Sequence, residues 1–288
     1  MRVAVLLAVF NRRERTLEGL THLHHALAVA CQAADVYLVD DGSTDGTAEA
    51  VLAAFPATRV IRHQGGLYWC RAMHLAWTQA LTGDYDQYLW LNDDTVLAPD
   101  GLARMLALAT DQASRAAPGI LVGALLEPAT GQTTYGGMHR RSRGRPMHFS
   151  MVAPGADVQA CDTMNGNVVL VSAAAVALVG ILDPQFEHGM GDFDYGLRAC
   201  AAGLAVVLCA GHVGCCSRNP KAQTFLDQRA GLRQRMRHML SPKGLPWRSW
   251  LGFTRRHAGF AWPVYFAWPY VRVLVSSLVS LRARRLRR

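Results

Sequence analysis

Residues 87–102 read QYLWLNDDTVLAPDGL, a short apolar run that drops straight into Asn92-Asp93-Asp94. The run has the length and residue types of a buried strand. Two adjacent carboxylates just past its end repel each other, and the nearest base downstream is Arg104. A solvated turn is one reading of such a pair. A divalent cation is the other, because hard ions such as Mg²⁺ and Mn²⁺ take one or two carboxylates together with substrate phosphate oxygens.

The segments on either side give that strand its setting. Val3–Val9 is a continuous apolar run, suited to a sheet buried on both faces. Arg12 to Ala30 has helical spacing through Leu17, Leu20 and Leu27. DVYLVD (35–40) is a second strand and ends in DGSTDGT, where Thr44 or Asp45 can cap a helix that stops near Pro56. ATRVIRH (57–63) is a third strand, and LYWCRAMHLAWTQAL (67–81) a helix. Strands that alternate with helices make a parallel sheet covered by helices, and ligands of such sheets sit beyond the carboxyl ends of the strands. Asp40-Asp41 and Asp93-Asp94 both fall at that edge, which predicts one shared site.

The second half is more mixed. TTYGGMHRRSRGRPMHF (133–149) reads as loop and short strands, and TMNGNVVLVS (163–172) as a strand opened by a Gly turn. Ser172 can cap the helix that follows it. GDFDYGLRACAAG (191–203) is a helix with Asp192 and Asp194 in its first turn, where the helix dipole favours negative charge. Two positions apart on a helix, the two acids point in different directions and have different jobs. An ion pair from Asp194 to Arg198, four residues on, is a purely structural use of one of them. LAVVLC (204–209) is a further strand, and His212 follows it on the same kind of edge. A polar, basic helix is predicted over 221–240, with a soft boundary near 220–240, and beyond it lies an aromatic stretch broken by prolines.

Composition narrows the classes. With 30 Lys and Arg against 21 Asp and Glu, the chain carries a formal charge of +9, which favours anionic partners. The excess is uneven: RARRLRR (282–288) alone holds five arginines, so a nucleic-acid binder is disfavoured. Seven cysteines without a C-x-x-C pair read as reduced thiols of a cytoplasmic protein. The apolar start has no small-residue cleavage site and is taken as the first strand, not a leader. A G-x-G-x-x-G after the first strand, a Walker-A loop and a G-x-S-x-G elbow are all missing.

VAVLLAVFNR, VYLVDDGSTDGT, YLWLNDDTVL and GDFDYGLRACAAG, in that order, resemble a family-2 glycosyltransferase over roughly residues 3–220. The resemblance implies an α/β GT-A fold: a Rossmann-like, mostly parallel central sheet flanked by helices. A nucleotide-binding half would span about 1–98 and an acceptor-binding half about 99–220, with a helical, aromatic and basic C-terminal extension at 221–288. It implies an inverting transfer from a nucleoside-diphosphate sugar to a hydroxyl of a glycan or lipid-linked glycan, in bacterial surface polysaccharide synthesis. Ala8, Phe10, Arg12, Asp41, Asn92 and Asp93 would bind the nucleotide sugar. Asp94, at the end of a "DXD" element whose first position is Asn92, would hold Mg²⁺ or Mn²⁺, with His212 as a further ligand. Asp192 would be the catalytic base, in an "ED" element whose Glu is replaced by Gly191. Trp69 and Asp194 are assigned to the acceptor. The segment RHQGGLYWCRAMHLAW replaces one that bears Asn and Arg in the family.

Two other readings stand beside this one. A sugar-1-phosphate nucleotidyltransferase shares the metal and sheet logic but has a Gly-rich triphosphate loop after strand one, which FNRRERT lacks. A non-catalytic carbohydrate-binding protein needs neither a metal–carboxylate pair nor a base. In the tail, Pro263, Pro269 and Arg272 interrupt the best apolar run, so a spanning helix is not expected. Trp247, Trp250, Trp262 and Trp268, the stripe Val271, Leu274, Val275 and Leu278, and the terminal arginines suit an interfacial helix on anionic lipid. That places the protein peripherally on the inner face of the cytoplasmic membrane. Packing of the tail on the fold or on a second subunit is the alternative.

Overall fold

The structure, a computed structural model, describes residues 1–115, 117–142, 144–218, 224–227 and 230–285, with side chains up to Ser277. The predicted boundary at 220 and the last three arginyl and leucyl residues lie outside these.

The first half alternates as its hydrophobic periods dictate: β1 (Val3–Val9), α1 (Arg13–Val29), β2 (Ala34–Asp40), α2 (Thr47–Ala54), β3 (Arg59–Arg62), α3 (Tyr68–Ala80) and β4 (Gln87–Leu91). Their strands lie in the order β3-β2-β1-β4 and all run parallel. β1 is central and β4 is fully buried, which is why both read as unbroken apolar runs. α1 crosses behind β4 so closely that a Cβ at Gly19 would stand 2.8 Å from the Asp93 carbonyl oxygen. Only glycine lets that helix support the acid pair.

The second half continues with β5 (Val96–Leu97), α4 (Gly101–Ser114), β6 (Gly119–Leu126), β7 (Thr133–Tyr135), β8 (Gly137–Arg140) and β9 (Phe149–Met151). Then come β10 (Gln159–Cys161), β11 (Thr163–Met164), β12 (Val168–Ser172), α5 (Ala173–Val179), α6 (Gly191–Ala201) and β13 (Ala205–Cys215). β12 enters the main sheet antiparallel to β4, with Val168 opposite Leu91. Its antiparallel course brings its beginning, Gly166-Asn167, to the edge where β4 ends. β13 runs on to Cys215, well past the six residues expected from the sequence, because its later part pairs β6 and β5. Ser172 caps α5 as predicted, accepting from the Ala175 amide at 3.1 Å. α2 instead starts from Gly46 in the left-handed region, and Asp45 accepts the Thr47 amide at 3.1 Å.

α7 (Leu232–Leu240), α8 (Trp247–His257) and α9 (Trp262–Arg285) complete the chain. The basic helix predicted over 221–240 is observed from Leu232; residues 221–223, 228 and 229 lie outside the described residues. α9 runs through Pro269, and among the described residues no helix is long and apolar enough to cross a membrane. α8 is part of the body: Phe253 is 3% exposed, its ring lies 6.4 Å from that of Phe186, and Ser249 donates to the Gln185 carbonyl. All seven cysteines are free thiols.

Candidate active site

The carboxyl ends of β1, β2 and β4 and the start of β12 surround a cleft of about 360 Å³. Ala8, Phe10, Arg12, Asp41, Trp69, Asn92, Asp93, Asp94 and Asp192 all line it. The edge predicted from the alternation is therefore one site, drawn from seven segments of chain.

Asp93 and Asp94 are not neutralised by Arg104, which binds Asp100 and the carbonyls of Ala210 and His212. Their partner is Arg12, some eighty residues upstream. One guanidinium nitrogen donates to Asp93 Oδ1 and to Asp94 Oδ2, at 2.9 Å each. Burial disfavours the charge on Arg12, but the two carboxylates outweigh it and hold its pKa above the usual value. Burial also dominates at Asp93, whose carboxyl is pushed up to about 6 despite Arg12. Asp94 Oδ1 takes the Cys216 thiol at 3.5 Å.

Asp41 lines the cleft but has a structural task as well. Its oxygens accept the amides of Leu67 (2.9 Å) and Tyr68 (2.8 Å), the first N–H groups of α3. Asp40 accepts the Ser43 amide at 2.8 Å and closes its own turn. α3 in turn positions Trp69, whose indole N–H donates to Asn92 Oδ1 at 2.8 Å.

Asp192 lines the same cleft from the start of α6. Its oxygens accept the Gly166 amide at 3.0 Å and the Phe193 amide at 2.9 Å. A Cβ at Gly166 would come within 2.5 Å of the Trp69 ring and 3.3 Å of the Asp192 Cβ, so glycine there lets indole and carboxylate face one another. Removal from water pushes the Asp192 carboxyl up to about 6, and the two amides only partly oppose it. Among the described residues no cation pairs with it. Beneath the cleft Trp90 sits against Tyr195 of α6 (ring centroids 5.2 Å) and Trp77 of α3 (5.3 Å), which ties both helices to β4.

Two assigned residues lie elsewhere. Asp194 is 0% exposed and cannot meet an acceptor: Arg198 (2.7 Å), Arg256 (2.6 Å) and His257 (2.8 Å) surround it. Its side chain follows the helical turn inward, and the extension supplies two of its three partners. His212 does not line the cleft: at a bulge of β13, it hydrogen-bonds Thr133 Oγ1 at 3.0 Å through Nε2.

The sequence reading missed His188, Asn167 and Lys243, which also line the cleft. Burial, then Lys243 and Arg12, lower the His188 pKa to about 4, and its Nδ1 is buried without a partner. Lys243 arrives from the extension, on the turn between α7 and α8. No spacing rule links it to Asp93. The one local signal was that a basic residue there follows a proline in a chain segment devoid of acids.

Among the described residues no cluster of three His, Cys, Asp or Glu side chains could hold a metal ion by itself. Asp94 and Asp93 nonetheless carry the oxygen chemistry of a hard cation shared with phosphate, as such ions are usually held.

A family model described as glycosyl transferase family 2 matches residues 4–143, and one described as glycosyl transferase family group 2 matches residues 89–285. Among solved structures, the mannosyltransferase PcManGT from Pyrobaculum calidifontis in complex with GDP-Man and Mn²⁺ matches 99% of this chain over 75% of its own. The identity is 15% and the TM-score 0.57. S. aureus TarS 1–349 matches 88% of this chain over 70% of its own, at 13% identity and a TM-score of 0.53. At such identities the likeness is one of fold.

Proposed function

This chain belongs to glycosyl transferase family 2, and from that premise we propose an inverting transfer from a nucleoside-diphosphate sugar to a glycan or lipid-linked glycan hydroxyl. The observation that carries the reading is the division of the cleft. At the start of α6 it holds a carboxylate with a raised pKa and, among the described residues, no cationic partner; past the end of β4 it holds Arg12 and the acid pair, and Lys243 lines it too, close enough to His188 to lower its pKa.

Asp192 is the general base. It takes the acceptor hydroxyl proton as that oxygen attacks the anomeric carbon from the face opposite the leaving diphosphate. A single displacement of this geometry inverts the centre. The amides of Gly166 and Phe193 hold the carboxylate in place. Asn92, Asp93, Ala8, Phe10 and Asp41 form the nucleotide side, in the half that spans about 1–98. Arg12 and Lys243 supply fixed positive charge where the diphosphate gains negative charge. Trp69, fixed by Asn92, offers an apolar face to the sugar or the acceptor. A divalent cation, Mg²⁺ or Mn²⁺, would be held by Asp94 and Asp93 together with phosphate oxygens; bound there it would act as a Lewis acid toward the leaving group.

The test is a thermal-shift panel of GDP-, UDP- and dTDP-sugars, GDP-mannose included, each with Mn²⁺, with Mg²⁺ and with EDTA. Saturating ligand at a hundredfold Kd stabilises a protein by about 2.7 kcal/mol. One donor class should raise Tm, and Asp94→Ala should remove the metal-dependent part of that rise. Absence of any shift, together with no release of nucleoside diphosphate, would refute the reading.

A further inference from the structure

α9 has two apolar faces. Phe266, Tyr270, Val273 and Ser277 look inward: Tyr270 Oη donates to the Leu245 carbonyl at 2.8 Å, and Val273 and Ser277 are buried. The Trp250 indole reaches the Phe266 carbonyl at 3.1 Å, and Arg235 donates to Ser277 Oγ at 2.8 Å. The helix is therefore already docked on α7 and α8. Yet Val264, Trp268, Val271 and Val275, which follow at intervals of four, three and four, form a second stripe on the far side. Val264 is 68% exposed, Trp268 60% and Val275 54%. Phe260, on the 3₁₀ turn Gly259–Ala261 just ahead of the helix, is 99% exposed. A helix with one face docked and only water beyond would be polar on the other face. A phenyl ring fully in water stabilises nothing in this chain.

The charge around the stripe indicates what covers it. Of the 30 Lys and Arg residues, 14 lie after Asp227, and no Asp or Glu follows that position. Residues 1–227 therefore hold 16 basic groups against 21 acidic ones, a net charge of −5, while the remainder carries +14. Arg248, Arg255 and Arg272 are exposed on these helices, and Arg255 lies 5.5 Å over the Trp262 ring. A second copy of the extension would set a second array of cations against the first. A surface of negative headgroups over hydrocarbon matches both the apolar stripe and the charge. α9 cannot span a bilayer but can lie along one.

We propose that this face of α9, with Phe260, is a docking surface for an anionic bilayer: Phe260, Val264, Trp268, Val271 and Val275 enter the acyl boundary, and the arginines meet the headgroups. The proposal is independent of the glycosyl-transfer reading, because none of these side chains lines the cleft.

The experiment co-sediments the full chain with vesicles of phosphatidylcholine alone and of phosphatidylcholine mixed with phosphatidylglycerol. The expected result is binding to the mixed vesicles, weakened by added salt. Phe260→Ser with Trp268→Ser should lower the partition coefficient by roughly tenfold or more for each ring withdrawn from lipid. Both side chains lie in solvent, so circular dichroism and Tm should match the native chain, and any donor hydrolysis in solution should be unchanged. Native-like binding by the double variant would overturn the proposal, as would equal binding to both vesicle types. A native chain that sediments in lipid-free solution as a dimer, and a variant that is monomeric, would assign the stripe to a second copy and overturn it too.

Discussion

Asp192 and Asp194 stand two residues apart in the first turn of one helix, and the fold puts them to opposite uses. Asp192 lines the cleft, accepts hydrogen bonds from two backbone amides and, among the described residues, from no cation, and has its carboxyl pushed up to about 6 by removal from water. Asp194 faces the core, where burial also opposes its charge, but hydrogen bonds from His257, Arg198 and Arg256 outweigh that and hold its pKa below the usual 3.8. The same side chain keeps a raised or a lowered pKa according to whether a cation reaches it. Asp194 holds the extension to the body; Asp192 is left without a cation, as the proposed general base requires.

The sharpest test of that contrast is Asp192→Asn, which keeps the shape but cannot take a proton. Transfer should fall by about 10²–10⁴-fold, the usual reach of general base catalysis, while donor affinity and Tm stay near native. An equal loss of donor affinity would move Asp192 to the nucleotide side and end the contrast as drawn. Asp194→Asn should do the reverse. Removing one member of a buried charge cluster costs about 3–5 kcal/mol, read by denaturant unfolding. Activity should fall only as far as the extension loosens.

The two acids also have opposite pH signatures. Asp192 must be ionised to act, so kcat/KM should rise through about pH 6 and level off above it. Because its native pKa is raised, its contribution to stability is fully present below its ordinary 3.8 and is lost as pH rises through about 6. Asp194 has a lowered native pKa, so its contribution is present above 3.8 and is lost as pH falls toward that lowered value. Unfolding curves of the native chain and of each Asn variant from pH 3 to pH 8, a range of about five units around these values, separate the two. A parallel pH dependence for both variants would contradict the assignment.

A smaller effect is expected at Lys243, the cleft residue carried by the extension that Asp194 anchors. Lys243→Ala should raise donor KM by roughly tenfold with little change in kcat, the weight of one charge-assisted contact in a half-open site. The smallest effect calibrates the scale. Arg115 and Asp111 form an ion pair at 3.0 Å with the same helical spacing as Arg198 and Asp194, but both side chains are well exposed. Arg115→Ala should change stability by only about 0.3–0.5 kcal/mol. If it matched Asp194→Asn, burial would not be what gives the Asp194 cluster its weight.

Much of the fold could be read along the chain because its signals are local. The strands at 3–9, 35–40 and 87–91 declare themselves by uninterrupted apolar runs, and their alternation with helices requires a parallel sheet whose carboxyl edge carries the acids. The Ser172 cap and the Asp194–Arg198 pair are likewise set by neighbours within four residues. The sequence by itself thus determined the sheet, the edge that carries the acids and half of the residues that line the cleft. Tertiary structure alone decided which charges of distant segments meet. Arg12 pairs with Asp93 and Asp94 because β1 and β4 are adjacent strands, although Arg104 is nearer in sequence. Arg256 and His257 reach Asp194, and Lys243 reaches the cleft, because α8 packs beside α6. His212 turns to Thr133 because a bulge in β13 redirects it. Local pattern reports burial, which has a period; an ion pair between distant segments has none, and only the folded chain brings its members within a few ångströms.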